Sequence, residues 1–248
     1  MQTNVAILIP AYEPDEKLVE LITRLRRDFM HLVVVDDGSV KEGARDVFAR
    51  VRGDVDALLV HEVNRGKGAA LRTGIAWVRD HLPEVCAVVT ADSDGQHASK
   101  DIVRVAEAVV DHPGGLVLGV REFTGTVPFR SRFGNTWTRI LFRLITGLPV
   151  RDTQTGLRAI PRGLFDRMLA IAGNRYEYEI RMLVDARRHA MKPLQLPIET
   201  IYIDDNRASH FRPFHDTVLT QWALFSARFL GSGLPKNMGA GHSVTGKG

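Results

Sequence analysis

The sequence predicts an α/β protein built on a mostly parallel central sheet with helices on both faces. Two observations carry that expectation. Short apolar runs alternate with segments whose apolar residues recur at helical spacing. Polar stretches follow the runs, at the strand ends where open α/β sheets place their ligands. The length, 248 residues, suits one large domain of this class, or one with a short appendage.

Each element is legible in order. VAILIPAY near the N-terminus is a buried-strand run ending at Pro10, and Leu18, Leu21, Ile22, Leu25 and Phe29 then mark one helical face. HLVVVDDGS is a second strand, followed by a short helix around Val47, Phe48 and Val51. ALLVHEV is a third strand and GAALRTGIAWVRD a helix. CAVVTA, DIVRVAEAVVDH and GLVLGV give a fourth strand, a helix and a fifth strand. After residue 121 the rhythm changes. EFTGTVPFRSR reads as a loop, WTRILFRLITG as a helix, DTQTGLRAIP as a polar turn and YEYEIRMLVDARRHA as a helix. LQLPIETIYI reads as two short strands broken by Pro197, and HDTVLTQWALFSARFL as a last helix capped by Asp216. The expected organisation is one domain over residues 1–230, in two halves that divide after residue 120. A Gly-rich, disordered tail spans 231–248.

Thirty-three Lys and Arg against 29 Asp and Glu leave a net charge of +4. That excess suits phosphate-bearing or anionic partners and is too weak to argue for nucleic acid. The single cysteine, Cys86, lies in an apolar run and is expected in the core, in a reducing compartment. No cleavable leader is expected at the N-terminus, and no apolar stretch reaches the ~18 residues of a spanning helix. The tail's Gly241, Gly246 and Lys247 match the spacing of a phosphate-binding loop. Gly248 replaces its Ser or Thr and no strand precedes it, so that match is discounted.

Three polar stretches carry chemistry. In ADSDGQH, Asp92 and Asp94 sit one residue apart after the fourth strand, where period-two alternation puts them on one side. Two such carboxylates repel unless a proton or cation lies between them. With Gln96 and His97 beside them, hard oxygen donors suit Mg²⁺ or Mn²⁺ on a diphosphate better than zinc. The bland alternative is a solvated turn. Asp36-Asp37-Gly38-Ser39 ends the second strand, where an acid accepts hydrogen bonds from a nucleotide or caps a turn. The Gly-rich fingerprint of a nicotinamide enzyme is absent after the first strand. Asn64-Arg65-Gly66-Lys67-Gly68 opens a helix. Its glycines let backbone approach a ligand and its N-terminus attracts anions, unless it is an ordinary loop.

The ordered set PAYEP, VVDDGS, NRGKGAAL, ADSDGQH, DTQTGLR and SHFRPFHDT resembles family 2 glycosyltransferases. It is most like the polyprenyl-phosphate hexosyltransferases of dolichol-phosphate mannose synthase type, over residues 4 to about 230. The resemblance implies a GT-A fold that binds a UDP- or GDP-linked sugar in the half to residue 120 and the acceptor in the half from 121 to 230. It implies that Pro10, Ala11, Tyr12, Glu13 and Asp37 hold the nucleoside, with Lys67 near it and Asp92 and Ser93 beside the ribose. Asp94 and Gln96, with Asp92, ligate Mg²⁺ or Mn²⁺.

It further implies inverting transfer of a hexose, glucose or mannose, to polyprenyl phosphate. Such a phosphate, with a second pKa near ~6, is largely anionic at neutral pH and needs cations to hold it rather than a strong base. Arg121, Arg130, Arg132, Asn135 and Arg212 stand in matching places to grip it, with Arg139 behind them. Singly, each is equally readable as a surface charge. Catalytic roles fall to Asp94, Asp152 and Arg132, with Asp152 orienting sugar or acceptor. Gln154, Thr155 and Arg158 shape the same wall, and Glu177 and Glu179 reach sugar hydroxyls or lie on a helix surface.

Stripes at Val218, Trp222, Phe225 and Phe229 and at Trp137, Ile140, Leu141, Leu144 and Ile145 pack on the sheet in part. With flanking Arg they also suit interfacial helices on a bilayer. The expected location is cytoplasmic, peripheral on the inner face of the membrane. A separate membrane protein or peripheral docking would bring the chain to its lipid, and a homo-oligomer is open. Rival readings are a family 2 transferase with a saccharide or other soluble acceptor, which would need a base, and a non-catalytic nucleotide-sugar-binding protein. A nucleotidyltransferase is disfavoured by the missing Gly-rich loop.

Overall fold

A computed structural model describes residues 4–121, 143, 147 and 149–199. Its sheet starts from β1 (Val5–Ala11), every residue of which is buried. Val5, Ile7, Ile9 and Ala11 join one apolar cluster and Ala6 and Leu8 join another, so strand alternation alone builds a core on each face. Beside β1 lie β2 (His31–Asp36) and then β3 (Ala57–Val60). On its other side lie β4 (Ala87–Thr90), β6 (Arg158–Pro161), β5 (Val117–Arg121) and β7 (Leu194–Ile198), in that spatial order. The pairings β1–β2, β1–β4, β2–β3 and β5–β7 are parallel, and β6 runs antiparallel to β4 and β5.

Helices cover both faces as expected. α1 (Glu16–Leu25), α2 (Glu42–Val51) and α4 (Ser99–Asp111) place Leu18, Ile22, Val47, Phe48, Ile102 and Val105 against one face. α3 (Lys67–His81), α5 (Phe165–Ala170) and α6 (Glu177–Arg188) place Leu71, Ile75, Met168, Tyr178 and Met182 against the other. α1 is capped by Asp15, whose carboxylate accepts from Lys17 N at 3.0 Å. This mostly parallel α/β sheet is the arrangement the sequence predicts.

Several local expectations need correction. The polar stretch 152–161 is not all turn, since its last four residues form β6, fully buried between two strands. β7 runs through Pro197 instead of breaking there. It pairs with β5 and ends the sheet order, and an edge strand tolerates a residue that cannot donate to a ladder. β1 likewise continues past Pro10, which pairs with Val35. Leu8 O accepts from Ala91 N and Ala11 O from Asp37 N, so Pro10 lies on the β4 side, beyond the last β4 pair at Leu8–Thr90. Cys86 is exposed, because it precedes β4 and alternates outward between buried Val85 and Ala87. Helix α5 lies in a stretch where the sequence analysis places no element.

Arg130, Arg132, Asn135, Arg139, Arg212, both apolar stripes, the helix after Asp216 and the 231–248 tail lie outside the described residues. No helix among the described residues is long and apolar enough to cross a membrane.

Candidate active site

The parallel strands bring four loops to their carboxyl ends. The first two are laced together. Glu13 has a left-handed backbone, φ 51°, and its N–H donates to Ser39 Oγ at 2.8 Å. Its carboxylate accepts from the N–H groups of Val40, at 3.0 Å, and Lys41, at the start of α2. An acid there complements the positive end of the helix. Asp36 Oδ1 accepts from Ser39 N at 2.8 Å. Pro10 and Ala11 are buried at the end of β1 and Tyr12 is half-buried beside them. Glu13 is thus committed first to the α2 turn.

Asp37 is also bound by the protein itself. It is 3% exposed. Oδ1 accepts from Arg65 N at 2.9 Å and meets His61 Nδ1 at 2.7 Å, while Oδ2 accepts from Gly66 N at 2.7 Å. His61 Nε2 meets Thr73 Oγ1, on α3, at 3.0 Å. The turn 64–68 is therefore fastened from below by an acid on β2's loop. His61 and Thr73 were not singled out from the sequence; a histidine within reach of an acidic turn is a signal only once the strands are in register.

The two glycines of that turn do a different job from the one expected. A Cβ on Gly66, whose φ is +97°, would sit 2.4 Å from Asn174 O, and one on Gly68 would sit 2.5 Å from Tyr178 Cβ. The close backbone approach they permit is to the segment leading into α6. That contact sets Lys67 against Glu179. The Lys67 ammonium lies 2.7 Å from Asp92 Oδ1 and 3.0 Å from Glu179 Oε1, the latter an ion pair without aligned hydrogen-bond geometry. Burial alone would lower the Lys67 pKa, but the carboxylates of Asp92 and Glu179 together outweigh it and hold the ammonium well above its ordinary range. Glu179, 4% exposed, is thus neither a surface residue nor open to solvent. Glu177 Oε1 accepts from Asn174 N and Arg175 N, tying the turn before α6.

Asp92 and Asp94 share a turn and differ in charge balance. Burial would raise the Asp92 pKa, yet Lys67 and His97 more than reverse this and hold it far below the usual carboxylate range. His97 Nε2 lies 3.3 Å from Asp92 Oδ2. Gly156 makes room for this carboxylate, since a Cβ there would lie 2.1 Å from Asp92 Oδ2. Asp94 forms no ion pair among the described residues, and its Oδ1 accepts from Gln96 N at 3.0 Å across Gly95. Burial first, and then the charge of Asp92, push its pKa up. Ser93 is half-buried between the two acids.

The remaining wall comes from the other half of the sheet. Asp152, fully buried, receives Arg121 Nε at 2.7 Å and Nη2 at 3.2 Å, and Gln154 N at 3.1 Å. Arg158, on β6, is 1% exposed and donates to three carbonyls: Thr155 O at 2.8 Å, Glu179 O at 2.5 Å and Thr153 O at 3.1 Å. Burial lowers its pKa against the nearby Glu179, Asp152 and Asp92 charges. It clamps the 153–155 loop to α6 from within rather than lining a wall.

The structure thus brings Pro10, Ala11, Tyr12, Glu13, Asp37, Lys67, Asp92, Ser93, Asp94 and Gln96 to one edge, with Arg121 and Asp152 on the β5 side. Comparison with known proteins agrees with this architecture. UDP-N-acetylglucosamine–dolichyl-phosphate N-acetylglucosaminyltransferase of Methanococcus voltae is 26% identical in an alignment that covers 82% of this chain and 87% of that protein. Polyprenol monophosphomannose synthase of Mycolicibacterium smegmatis is 28% identical in an alignment that covers 77% of this chain and 75% of the relative. Glucosyl-3-phosphoglycerate synthase of Mycobacterium tuberculosis, crystallised with Mn²⁺, UDP and glucosyl-3-phosphoglycerate, superposes with a TM-score of 0.66. At 18% identity, over 95% of this chain and 82% of that one, the likeness is one of fold, the GT-A fold. The sequence profile of Glycosyl transferase family 2 matches residues 6–183, which run from the second residue of β1 through β6 and take in the acids at the strand ends, and the chain belongs to that family.

Proposed function

We propose that the protein transfers a hexose, with inversion, from a nucleoside-diphosphate sugar to a polyprenyl phosphate, and does so with Mg²⁺ or Mn²⁺. The observation that carries the reading is the uneven charge balance of the paired acids. Asp92 is paired with the Lys67 ammonium and meets His97, whereas Asp94 is half-buried without an ion pair among the described residues and its pKa is raised. A carboxylate in that state favours a cation or a proton. Among the described residues no three His, Cys, Asp or Glu side chains close around a metal on their own. Asp94, with Asp92 and the Gln96 amide, fits a hard divalent ion that takes its other ligands from a diphosphate. When bound, such an ion neutralises charge on the departing nucleoside diphosphate.

The chain's own residues do the rest. Lys67 keeps Asp92 ionised and aimed, and the α6 turn keeps Lys67 in place. Pro10, Ala11, Tyr12, Glu13 and Asp37 form the nucleoside side of the edge. Arg121, held by Asp152, stands at the end of β5, on the acceptor side; Arg130, Arg132, Asn135 and Arg212, assigned to the same phosphate from the sequence, lie outside the described residues. A saccharide acceptor would call for a base to take its hydroxyl proton. Asp152, the acid placed to serve, is fully buried with both oxygens held. A phosphate acceptor has no such need, and two relatives carry dolichyl-phosphate and polyprenol monophosphomannose in their names. A polyprenyl phosphate resides in a membrane, and the names of those two relatives support a peripheral location at the inner membrane face.

A thermal-shift series with UDP, GDP and their hexose conjugates, with and without Mn²⁺, identifies the base and tests the ion. The expected result is nucleotide stabilisation that requires the metal, followed by a lipid-linked product with short-chain polyprenyl phosphate. Metal-indifferent nucleotide binding overturns the ion's role. Absence of lipid-linked product from every donor overturns the acceptor.

A further inference from the structure

We propose that His61 is a positioning residue for sugar-nucleotide binding: through Asp37 it fixes the turn that aims Lys67 at Asp92. The inference rests on the reading of this edge as the donor site. His61 sits just past β3 and is 7% exposed, yet both ring nitrogens are engaged, Nδ1 with Asp37 at 2.7 Å and Nε2 with Thr73 at 3.0 Å. Its backbone N–H donates to Asp36 O at 2.9 Å, so ring and main chain are both tied to the end of β2.

What the ring holds matters more than its burial. Asp37 also accepts from two successive amides, Arg65 N on Oδ1 and Gly66 N on Oδ2, directly before Lys67 opens α3. Gly66 there has φ +97°, a state open to glycine among several others, and the two hydrogen bonds that one carboxylate accepts from the turn select it. Thr73 stands on the same helix that Lys67 begins. The contacts therefore close a ring, from α3 through Thr73, His61 and Asp37 to the turn and back to α3 at Lys67. Without the imidazole, Asp37 can rotate away from one of the two amides, and the turn loses the constraint that places the ammonium 2.7 Å from Asp92. A histidine that merely fills a polar niche would leave the turn unaffected when removed.

The test compares His61→Ala, His61→Asn and Thr73→Val in the full chain, by donor kinetics and by amide hydrogen exchange across residues 64–68. His61→Ala is expected to raise donor KM about tenfold with kcat within about twofold, since the ring acts on binding geometry and touches no reacting atom. Exchange at Arg65 and Gly66 should quicken in parallel. His61→Asn, whose side-chain nitrogen stands near the place of Nδ1, should recover most of both, and Thr73→Val should show a smaller shift of about twofold in KM. A lower melting temperature with unchanged donor KM and unchanged 64–68 exchange overturns the proposal. If His61→Ala does not fold, wild-type behaviour of Thr73→Val in both readouts overturns it as well. Faster exchange in a chain whose wild type binds no sugar nucleotide upholds the contact and overturns the donor-site reading instead.

Discussion

Asp94 and Asp152 stand in turns on the same sheet, and the fold treats their charges in opposite ways. Asp152 is fully buried and neutralised by the protein, with the Arg121 guanidinium on both oxygens and a backbone amide on one of them. Asp94 is half-buried, but Lys67 and His97 turn to its neighbour Asp92, and it keeps a raised pKa. A charge answered within the protein is structural currency, useful for holding an arginine in place. A charge left unanswered in a cleft awaits something from outside. Under the proposed function, the difference suits Asp94 to the donor side of the reaction and Asp152 to the support of Arg121.

The largest expected effect breaks the comparison at Asp94. Asp94→Asn should lower transfer on the order of 10³-fold, the scale of removing a ligand from a charge-neutralising ion. It should not lower stability. The folded pKa of Asp94 lies above its unfolded value, so stability linked to its protonated form is full below the unfolded value and lost as pH rises through the folded one. Near pH 7 the charge is a burden, and the metal-free variant should melt higher than wild type; a lower melting temperature there contradicts the assignment. Asp92 carries the opposite sign. Its depressed pKa contributes stability above the unfolded value, and this fades only at strongly acid pH.

Next comes Asp152→Asn, which keeps the shape and removes the charge facing Arg121. Because that arginine is partly exposed, the loss should be about 2 kcal/mol, below that of a fully buried pair, as read from denaturant unfolding. Transfer should fall roughly tenfold through displacement of Arg121. Abolition of transfer in a variant of unchanged stability would restore the base role to Asp152. The smallest effect is expected from Gly156→Ala. Its methyl group would crowd Asp92 Oδ2 and turn the carboxylate off Lys67, weakening metal-dependent nucleotide affinity by about fivefold in a thermal-shift titration, with about 1 kcal/mol of stability lost.

Much of this architecture is legible before folding. Alternating apolar residues in 5–11 and helical spacing in 18–25 are local properties of the chain, and the structure keeps them. Strand β6 is hidden because four buried residues after a polar turn carry too short a pattern, and their strand character comes from slots offered by β4 and β5. The glycines of the 64–68 turn announce a close approach, but not what approaches; Asn174 and Tyr178 lie more than a hundred positions away. Cys86 shows the same limit, since one position before a strand decides inside from outside.

The sequence alone determines the α/β class, the order of the motifs and the presence of paired acids after β4, because periodicity and residue chemistry are written locally. Only the tertiary structure decides which acid the protein neutralises. Lys67 reaches Asp92 and Glu179, and Arg121 reaches Asp152, across separate strands and helices. Coulombic balance depends on distance in space and on burial, and neither is a property of position along the chain.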